Sequence, residues 1–313
     1  MTAEITFDKI VLVTRKTRLE GLIERFNTRA QARFYIEHSG GNFGMFEAEH
    51  ETYYGALGLL RERLKKLLKT QVVERGFLPN FLFSDSDLVV TLGIDGLVVN
   101  TAKYLTGQPL VAVNPDPAHI DGVLLPYDVN KAPTAVQTVL SGQYQARAIS
   151  MAQARLNDGQ ELLAFNDLFV GMADHRSARY SLKFGEQAER QSSSGLIIST
   201  GAGATGWLSS MFNMTNGMLA LYGDGEQRVT PPEIDWETDR LVFVVREPFA
   251  SKTSGAEIVT GFITPDQPLI IESEMSESGT IFSDGVADDF LGFNAGRVAT
   301  IGLAAQKTRL VVG

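Results

Sequence analysis

The stretch Asp87-Leu88-Val89-Val90-Thr91-Leu92-Gly93-Ile94-Asp95-Gly96 decides the predicted fold, because it joins an apolar run to a turn of small and polar residues. The run Asp87–Leu92 is typical of a buried parallel strand. A helix is predicted at about residues 98–105, and Leu110–Asn114 reads as a second buried strand. This β-α-β order predicts a doubly wound parallel sheet whose strand ends present loops to a ligand.

The segments before this stretch extend the same prediction. Lys9–Thr14 is typical of another parallel strand, and Arg18–Phe26 has apolar residues at helical spacing. A second helix is predicted around Leu57–Leu67, where leucines recur at steps of three and four residues. The other face of this helix is basic, a pattern that indicates exposure to solvent more than phosphate binding. Ser39–Gly44, between the two helices, is predicted to be a loop.

After about residue 134 the chain changes character, because short strand-like runs follow one another with few helices between them. The predicted strands are Ala146–Leu156, Glu161–Phe165, Arg179–Phe184, Gly195–Thr200, Arg240–Val245, Leu269–Glu274, Gly279–Phe282 and Val298–Leu303. This pattern predicts a second, β-rich domain. We expect an α/β domain over residues 1–127 and the β-rich domain over residues 128–313.

Composition limits the class of protein. The 313 residues carry a formal net charge of −9, with 44% hydrophobic and 21% charged residues, which excludes a disordered or fibrous chain. The lack of cysteine excludes a disulfide scaffold, a thiolate nucleophile and any Cys-ligated metal site. No apolar run approaches the roughly 20 residues of a membrane span, and the acidic total argues against nucleic-acid binding. We therefore expect a cytoplasmic protein with neither a membrane nor a nucleic acid as partner.

The turn Gly93–Gly96 is the first candidate site. Its glycines allow a close approach of the backbone to a phosphate, and the start of a helix offers unpaired N–H groups to an anion. The carboxylate of Asp95 could act there as a general base toward a hydroxyl. The alternative is an ordinary strand-to-helix turn with Asp95 as the helix N-cap.

The second candidate is the segment Gly201–Gly206, a formal G-x-G-x-x-G after a predicted strand. A dinucleotide-binding fingerprint would need a βαβ unit and an acid about 20 residues on, at a strand end. Asp224 and Glu226 are at that distance but lie in a polar insertion over residues 222–238. A small-residue loop that admits a ligand to the backbone is therefore the favoured interpretation.

The third candidate is Asn166–Asp167, directly after a predicted strand. An amide beside a carboxylate can hydrogen-bond a ribose diol, because hydroxyls both donate and accept. An Asx-type turn is the alternative. The four histidines show no metal-ligand spacing, and Asp284-Gly285 is predicted to be a turn between strands.

Taken together and in this order, the three candidates resemble the NAD kinase family. That family has a Gly-Gly-Asp-Gly loop, an Asn-Glu or Asn-Asp pair, and a loop of the type Thr-x-Thr-Gly-Ser-Thr-Ala-Tyr. The counterparts here are Gly93–Gly96, Asn166–Asp167 and Thr200–Trp207. The resemblance extends over roughly residues 87–313.

Within that family the chain looks most like the mitochondrial-type branch. The similarity rests on Ser193–Leu196, on Trp207 in place of the usual tyrosine, and on Arg246–Ala250. The implied fold is a Rossmann-like α/β domain followed by a β-rich dinucleotide-binding domain. The C-terminal segment would return to pack on the first domain. A homo-oligomer, a dimer, is also implied.

The resemblance implies a kinase that transfers the γ-phosphoryl group of ATP to the 2′-hydroxyl of the adenosine ribose of NAD, giving NADP. Mg²⁺ would arrive with ATP, since no metal site is evident in the sequence. Asp95 would accept the proton, and Gly93 and Gly96 would let the loop approach the dinucleotide. Asn166 and Asp167 would hold a ribose or the nicotinamide end. The remaining implied nucleotide-binding positions are Ser194, Thr205, Gly206, Trp207 and Ser210.

Several positions depart from the family pattern. Ile94 stands where the family has its second glycine, which excludes the positive φ that glycine allows and adds a side chain where a phosphate would pass. Leu97 replaces the usual threonine, Ala202 and Ala204 replace hydroxyl residues, and Ser194 replaces an aspartate. These changes motivate two alternatives: an NAD(H)-binding protein with impaired catalysis, or a related lipid or sugar kinase.

Overall fold

We describe the chain from a computed structural model over residues 6–223 and 227–313. The chain divides into two compact units: the residues up to Arg147 together with Thr308–Gly313, and Ala148–Lys307. The division after Arg147 lies later than the boundary predicted after Tyr127. The reason is α5, Ala132–Leu140, which buries apolar side chains in the core of the first unit.

The first unit contains a parallel β-sheet. Its strands are β1 Lys9–Thr14, β2 Thr70–Glu74, β3 Asp87–Leu92, β4 Pro109–Asn114 and β5 Tyr127–Asp128. Strand β1 lies between β2 and β3, and β4 pairs with both β3 and β5, all in parallel. Arg309 and Leu310, near the C-terminal end of the chain, pair in parallel with Pro109 and Leu110. The predicted α/β architecture is confirmed.

The helices of the first unit follow its strands. They are α1 Arg18–Phe26, α2 Arg29–His38, α3 Phe43–Lys65, α4 Asp95–Ala102 and α5, with a 3-10 helix at Arg75–Asn80. The bounds of α1 agree with the prediction, and Thr17 caps it through a capping box with Glu20. The predicted loop Ser39–Gly44 is shorter than expected, because α3 already begins at Phe43.

The core of this unit forms where α3 and α5 pack on the sheet. Leu60 and Leu64 of α3 share one buried cluster with Val136 of α5 and with strand residues such as Leu12 and Val90. The buried leucines of α3 lie four residues apart, so they project from one face of the helix. The face of α3 that carries the predicted leucines is therefore the face that packs on the sheet.

The second unit is a β-sandwich, to which the described residues add one α-helix after a short helical turn. Its strands are β6 Gln145–Leu156, β7 Glu161–Ala164, β8 Asp167–Met172, β9 Ala178–Phe184, β10 Gln187–Ser193, β11 Leu196–Ser199, β12 Leu241–Val245, β13 Thr260–Ile263, β14 Leu269–Ser273, β15 Gly279–Ser283, β16 Val286–Gly292 and β17 Val298–Val312. One antiparallel sheet has the order β13-β12-β11-β8-β15-β16, and a second contains β10-β9-β14-β17. Apolar residues of both sheets form a single core, as the β-rich prediction requires.

Helix α6, Ser209–Tyr222, follows the five-residue helical turn Ala204–Leu208 and was not predicted. It ends at Tyr222, the first residue of the predicted polar insertion, and Asp224 and Glu226 lie outside the described residues. Within residues 6–223 and 227–313, no helix combines the length and apolar character needed to cross a membrane.

Candidate functional site

The Gly93–Gly96 turn connects β3 to α4. Ile94 is the N-cap of α4 and gives no side-chain cap, whereas Asp95 is the first helical residue. The helix therefore begins three residues before the predicted position, and the alternative that Asp95 serves as N-cap is wrong. A side chain at Gly93 would have its Cβ 2.9 Å from Cδ2 of Leu97, so the Leu97 side chain would have to shift to admit it.

The carboxylate of Asp95 is fixed by a loop that lies later in the chain. Its Oδ2 accepts a hydrogen bond from the N–H of Val123 (3.1 Å), and its Oδ1 accepts one from the N–H of Leu124 (3.0 Å). The side chain is half-buried. Each carboxylate oxygen has two lone pairs, so acceptor capacity remains for a substrate hydroxyl. The arrangement can hold a general base in one orientation.

Open space lies in front of Gly96 and Ile94. A Cβ built on Gly96 would meet only Cδ1 of Ile94, at 4.0 Å, so nothing in the described protein requires glycine at that position. Ile94 has φ −99° and ψ 169°, an extended conformation that any residue adopts, so the expected need for positive φ is not met. Its side chain is 43% exposed and forms one wall of a cavity.

The loop at Asn166–Asp167 is held by a carboxylate that sequence analysis treated only as part of a turn. Asp284 accepts hydrogen bonds from the backbone N–H groups of Phe165 (3.2 Å), Asn166 (2.7 Å) and Asp167 (3.3 Å). Asp284 and Gly285 both have positive φ, consistent with the predicted turn. The N–H of Asp284 donates in return to the carbonyl of Asp167 (2.9 Å).

Asp167 has the most unusual environment of the predicted site residues. Its Oδ1 is buried and has no hydrogen-bond partner among the described residues. Burial raises the pKa of this carboxyl to about 7, the hydroxyl of Ser199 lowers it in part, and the negative charge of Asp284 raises it further. A carboxyl with such a pKa can donate a hydrogen bond as well as accept one near neutral pH.

Glycines in the segment Thr200–Gly206 allow two backbone segments to touch. A Cβ on Gly201 would lie 2.4 Å from the carbonyl oxygen of Asp235, and a Cβ on Gly203 would lie 2.3 Å from that of Asn166. Strand β11, which precedes them, pairs antiparallel with both its neighbours. A Rossmann βαβ unit is therefore excluded, and the interpretation as a small-residue loop is retained.

Three aromatic rings lie together on the outer face of the six-stranded sheet. Phe169 stacks on Phe282 (4.8 Å between ring centroids) and on Trp207 (5.9 Å). Leu168 and Val170, the neighbours of Phe169 along β8, point into the core. Because side chains alternate along a strand, Phe169 points away from the core, on the same face as Asp167.

These rings border a cavity of about 470 Å³, which Ser194 and Glu247 also line. The guanidinium of Arg246 lies 5.6 Å from the centroid of the Trp207 ring. The hydroxyl of Ser194 donates to the carboxylate of Glu247. An acidic group thus lies beside Ser194. An aromatic surface with a cation and a carboxylate at its edge suits a nucleotide base.

The structure groups the predicted residues into two sets, one in each unit. In the first unit Gly93, Asp95 and Gly96 form one turn. The set in the second unit comprises Asn166, Asp167, Ser194, Thr205, Gly206, Trp207 and Ser210. Thr205, Gly206 and Ser210 are exposed, and the Ser210 hydroxyl donates to the carbonyl of Gly206 (3.3 Å). Sequence analysis missed Phe169 and Phe282 as site residues, because their position opposite each other on paired strands is seen only in the structure.

No group of three or more His, Cys, Asp or Glu side chains in residues 6–223 and 227–313 could hold a metal ion. His119, the histidine nearest the Asp95 loop in sequence, pairs instead with Asp116 at 2.9 Å.

Comparison with known proteins was made by sequence and by structure. No family model matches the chain. It is 34% identical over 129 residues to the NAD kinase of Heliobacterium modesticaldum, covering 39% of this chain and 44% of that protein. It is 32% identical over 134 residues to the NAD kinase of Thiobacillus denitrificans, covering 40% and 45%. The chain thus spans less than half the length of these curated relatives.

Two solved structures resemble this structure over nearly the whole chain. The NAD kinase from Archaeoglobus fulgidus in complex with ATP aligns with a TM-score of 0.58 at 14% identity, over 96% of this chain and 92% of that one. Yeast NADH kinase complexed with NADH aligns with a TM-score of 0.58 at 12% identity, over 97% and 83%. The chain therefore has the fold of the NAD kinases, and part of its sequence is similar to theirs.

Proposed function

We propose that this protein is an NAD kinase that transfers the γ-phosphoryl group of ATP to the 2′-hydroxyl of the adenosine ribose of NAD. The observation that carries the proposal is Asp95, a half-buried carboxylate oriented by the N–H groups of Val123 and Leu124 at the start of α4. The partial sequence similarity to proteins named NAD kinase supports the same activity.

In the proposed reaction Asp95 accepts the proton of the 2′-hydroxyl as that oxygen forms a bond to the γ-phosphorus. The bond between the γ-phosphorus and the bridging oxygen breaks, and ADP leaves. A positioned general base contributes typically 10²–10⁴-fold to such a step. The two N–H donors keep the carboxylate in one rotamer, and the lack of a side chain at Gly96 leaves room for the ribose.

NAD would be held by the second set of residues. Asn166 and Asp167 would hydrogen-bond a ribose or the nicotinamide end, and the buried Oδ1 of Asp167 offers a polar atom that no described residue hydrogen-bonds. Thr205, Gly206, Trp207 and Ser210 would contact the adenine half. Stacking of a base on Trp207 is supported by the neighbouring rings and by Arg246.

The proposal also includes the metal, the branch of the family and the assembly. Mg²⁺ would enter with the ATP phosphates, as its chemistry favours when a protein offers no cage of its own. We also propose a relationship to the mitochondrial-type branch, supported by the presence of Ser194, Trp207 and Arg246 around one cavity. A cytoplasmic location and a dimeric state remain part of the proposal.

The decisive experiment incubates the purified protein with NAD, ATP and Mg²⁺ and measures NADP. Wild-type protein is expected to form NADP, and Asp95→Asn is expected to lower kcat by about 10³-fold, because the amide cannot accept the proton. The matched control is Asp158→Asn, which removes an exposed carboxylate in a turn of the second unit. Its NADP formation should equal that of wild type.

Each failure has its own meaning. Wild-type protein that binds NAD without forming NADP would support the alternative of a binding protein with impaired catalysis. Phosphorylation of diacylglycerol, sphingosine or a sugar in place of NAD would support the alternative lipid or sugar kinase. Full activity of Asp95→Asn, with an unchanged melting temperature, would remove Asp95 from the proposed role.

A further inference from the structure

A small cavity of about 160 Å³ lies in the second unit, beside β10, which is the terminal strand of its sheet. Its other wall is the segment Phe249–Ser254. The described residues that line it differ from those that line the cavity of about 470 Å³ beside Trp207. Its volume is below the range of sites for drug-sized molecules and suits a small ion better than a dinucleotide.

Hydrogen bonds to β10 fix both ends of this segment. The N–H of Phe249 donates to the carbonyl of Ser192 (2.8 Å), and the N–H of Gly255 donates to the carbonyl of Arg190 (3.0 Å). Within the segment the Ser254 hydroxyl donates to the carbonyl of Phe249 (2.7 Å). The wall of the cavity is therefore ordered before a ligand binds, which lowers the entropic cost of binding.

Two arginines bring positive charge to the cavity, and one carboxylate compensates only part of it. Arg179 lies opposite Ser192 in the register of β9 and β10, so Arg179 and Arg190 are diagonal neighbours on one face of the sheet. Nε of Arg190 donates to both oxygens of Glu274 (3.0 and 2.7 Å). The exposed guanidinium of Arg179 forms no hydrogen bond or ion pair within residues 6–223 and 227–313. One positive charge is therefore left uncompensated.

Hydroxyl groups complete the lining. The Ser192 hydroxyl hydrogen-bonds none of the residues that the structure describes. The Thr253 hydroxyl makes a long contact with that of Ser251 (3.4 Å). A guanidinium presents paired N–H groups that match two phosphate oxygens, and hydroxyls can donate to the other oxygens. The donors and the charge of the cavity therefore match a tetrahedral oxyanion.

We propose that this cavity binds the phosphate group of a small ligand, either inorganic phosphate or a small phosphate monoester. The site is additional to the proposed nucleotide site and does not depend on the kinase activity. The anion would lie between Arg179 and Arg190, where its negative charge offsets the repulsion between two like charges. A carboxylate has only two oxygens for these donors, whereas a phosphate group has at least three.

The test is equilibrium dialysis of the full chain against radiolabelled orthophosphate, with saturating NADP present to fill the proposed nucleotide site. Wild-type protein is expected to bind phosphate with a Kd of about 1 mM. Arg179→Gln should raise this Kd about tenfold or more, because charge-assisted hydrogen bonds are lost. Lys183→Gln is the matched control, since it removes one positive charge from an exposed position on the same face of β9 that does not line the cavity. Its Kd should equal that of wild type.

Two further probes define the ligand. Acetate should bind about tenfold more weakly than orthophosphate, because it has fewer oxygens for the same donors. Glycerol 3-phosphate distinguishes the two sources of the phosphate group. Tighter binding of glycerol 3-phosphate than of orthophosphate would assign the site to a monoester, and weaker binding would assign it to free phosphate.

Several results would overturn the proposal. They are the lack of saturable phosphate binding by wild type, and wild-type affinity in Arg179→Gln with an unchanged melting temperature. An equal loss of affinity in Lys183→Gln would assign the effect to general surface charge. Phosphate binding that is seen only without NADP would make the cavity part of the nucleotide site. None of these outcomes depends on whether the protein forms NADP, so failure of the proposed kinase activity is measured separately.

Discussion

The two glycine-containing segments, Gly93–Gly96 in the first unit and Thr200–Gly206 in the second, look alike in sequence but differ in what their glycines do. Gly203 is glycine because the backbone of Asn166 occupies the place of its Cβ. Gly96 faces open space, and only a ligand could require its lack of a side chain. A glycine motif therefore mixes packing positions with ligand positions, and structure is needed to separate them.

The candidate acids of the two units also differ. Asp95 accepts backbone N–H hydrogen bonds with both carboxylate oxygens and remains half-exposed. Asp167 is half-buried, its buried Oδ1 has no hydrogen-bond partner among the described residues, and its pKa is raised to about 7. The first environment suits a carboxylate that must take up a proton during a reaction. The environment of Asp167 destabilises the ligand-free protein, as is typical of a polar group that is positioned to bind a ligand.

The largest expected effect is a loss of stability on substitution of Gly203. Gly203→Ala should lower the free energy of unfolding by about 3 kcal/mol or more, because its Cβ would lie 2.3 Å from a backbone oxygen that cannot move alone. Urea unfolding followed by circular dichroism measures the change. Gly96→Ala is the matched control, and it should not be destabilised. Equal stability of the two variants would remove the distinction between the glycines.

The next effect is the pH dependence of stability. The carboxyl of Asp167 has its pKa raised from the ordinary 3.8 to about 7, so the folded protein keeps a proton that the unfolded chain releases. The resulting stabilisation is complete below about pH 4 and is lost as the pH rises to about 7. Asp167→Asn, which never ionises, should therefore be more stable than wild type at pH 8, by about 3 kcal/mol when the partial exposure of the side chain is taken into account. At pH 4 the difference should vanish.

For Asp174 the contribution to stability is expected to change with pH in the opposite direction, and Asp174→Asn tests this. Hydrogen bonds from Arg176 lower the pKa of Asp174, so its contribution is present above the unfolded pKa and is lost as the pH falls. Urea unfolding of both variants at pH 4 and pH 8 gives the comparison. If Asp167→Asn were less stable than wild type at pH 8, the buried carboxylate would have a partner that the structure does not contain.

Much of the first unit was predictable from sequence. The strands Lys9–Thr14 and Asp87–Leu92 and the helix Arg18–Phe26 have the observed bounds, since buried parallel strands are continuous apolar runs and α1 carries a capping box. Helix α2 was missed because its exposed aromatic residues, such as Phe34, blur the apolar period. The start of α4 was missed because its N-cap is Ile94, which lacks a capping side chain.

The second unit was less predictable, because several of its strands and helices depend on tertiary contacts and not on the secondary-structure propensities of their residues. Strand β10, Gln187–Ser193, is a polar strand that exists through its antiparallel pairing with β9. Helix α6 contains Asn213, Thr215 and Gly217 and no charged residue, so neither propensity nor amphipathic period indicates it. Asp284 lies more than a hundred residues along the chain from the N–H groups whose hydrogen bonds it accepts. No local sequence pattern indicates these contacts.

A smaller effect is expected on NAD binding. Trp207→Ala should raise the Kd for NAD by about thirtyfold, because base stacking on an aromatic ring is worth about 1–3 kcal/mol. Trp207→Phe should restore most of the affinity, since a ring would again face Phe169 and Phe282. Isothermal titration calorimetry measures both values. Unchanged affinity in Trp207→Ala would place the adenine elsewhere and would leave the aromatic cluster as packing.

The smallest effect on stability is expected at Gly96, where the comparison between the two segments is sharpest. Alanine in the first turn of α4 should raise the free energy of unfolding by about 0.5 kcal/mol, because it restricts the unfolded chain and meets no atom closer than 4.0 Å. NADP formation should nevertheless fall about tenfold, since the added methyl group displaces the ribose from Asp95. A more stable but slower enzyme is the signature of a glycine kept for a ligand. A variant with gained stability and full activity would show that Gly96, unlike Gly203, is required by neither packing nor ligand.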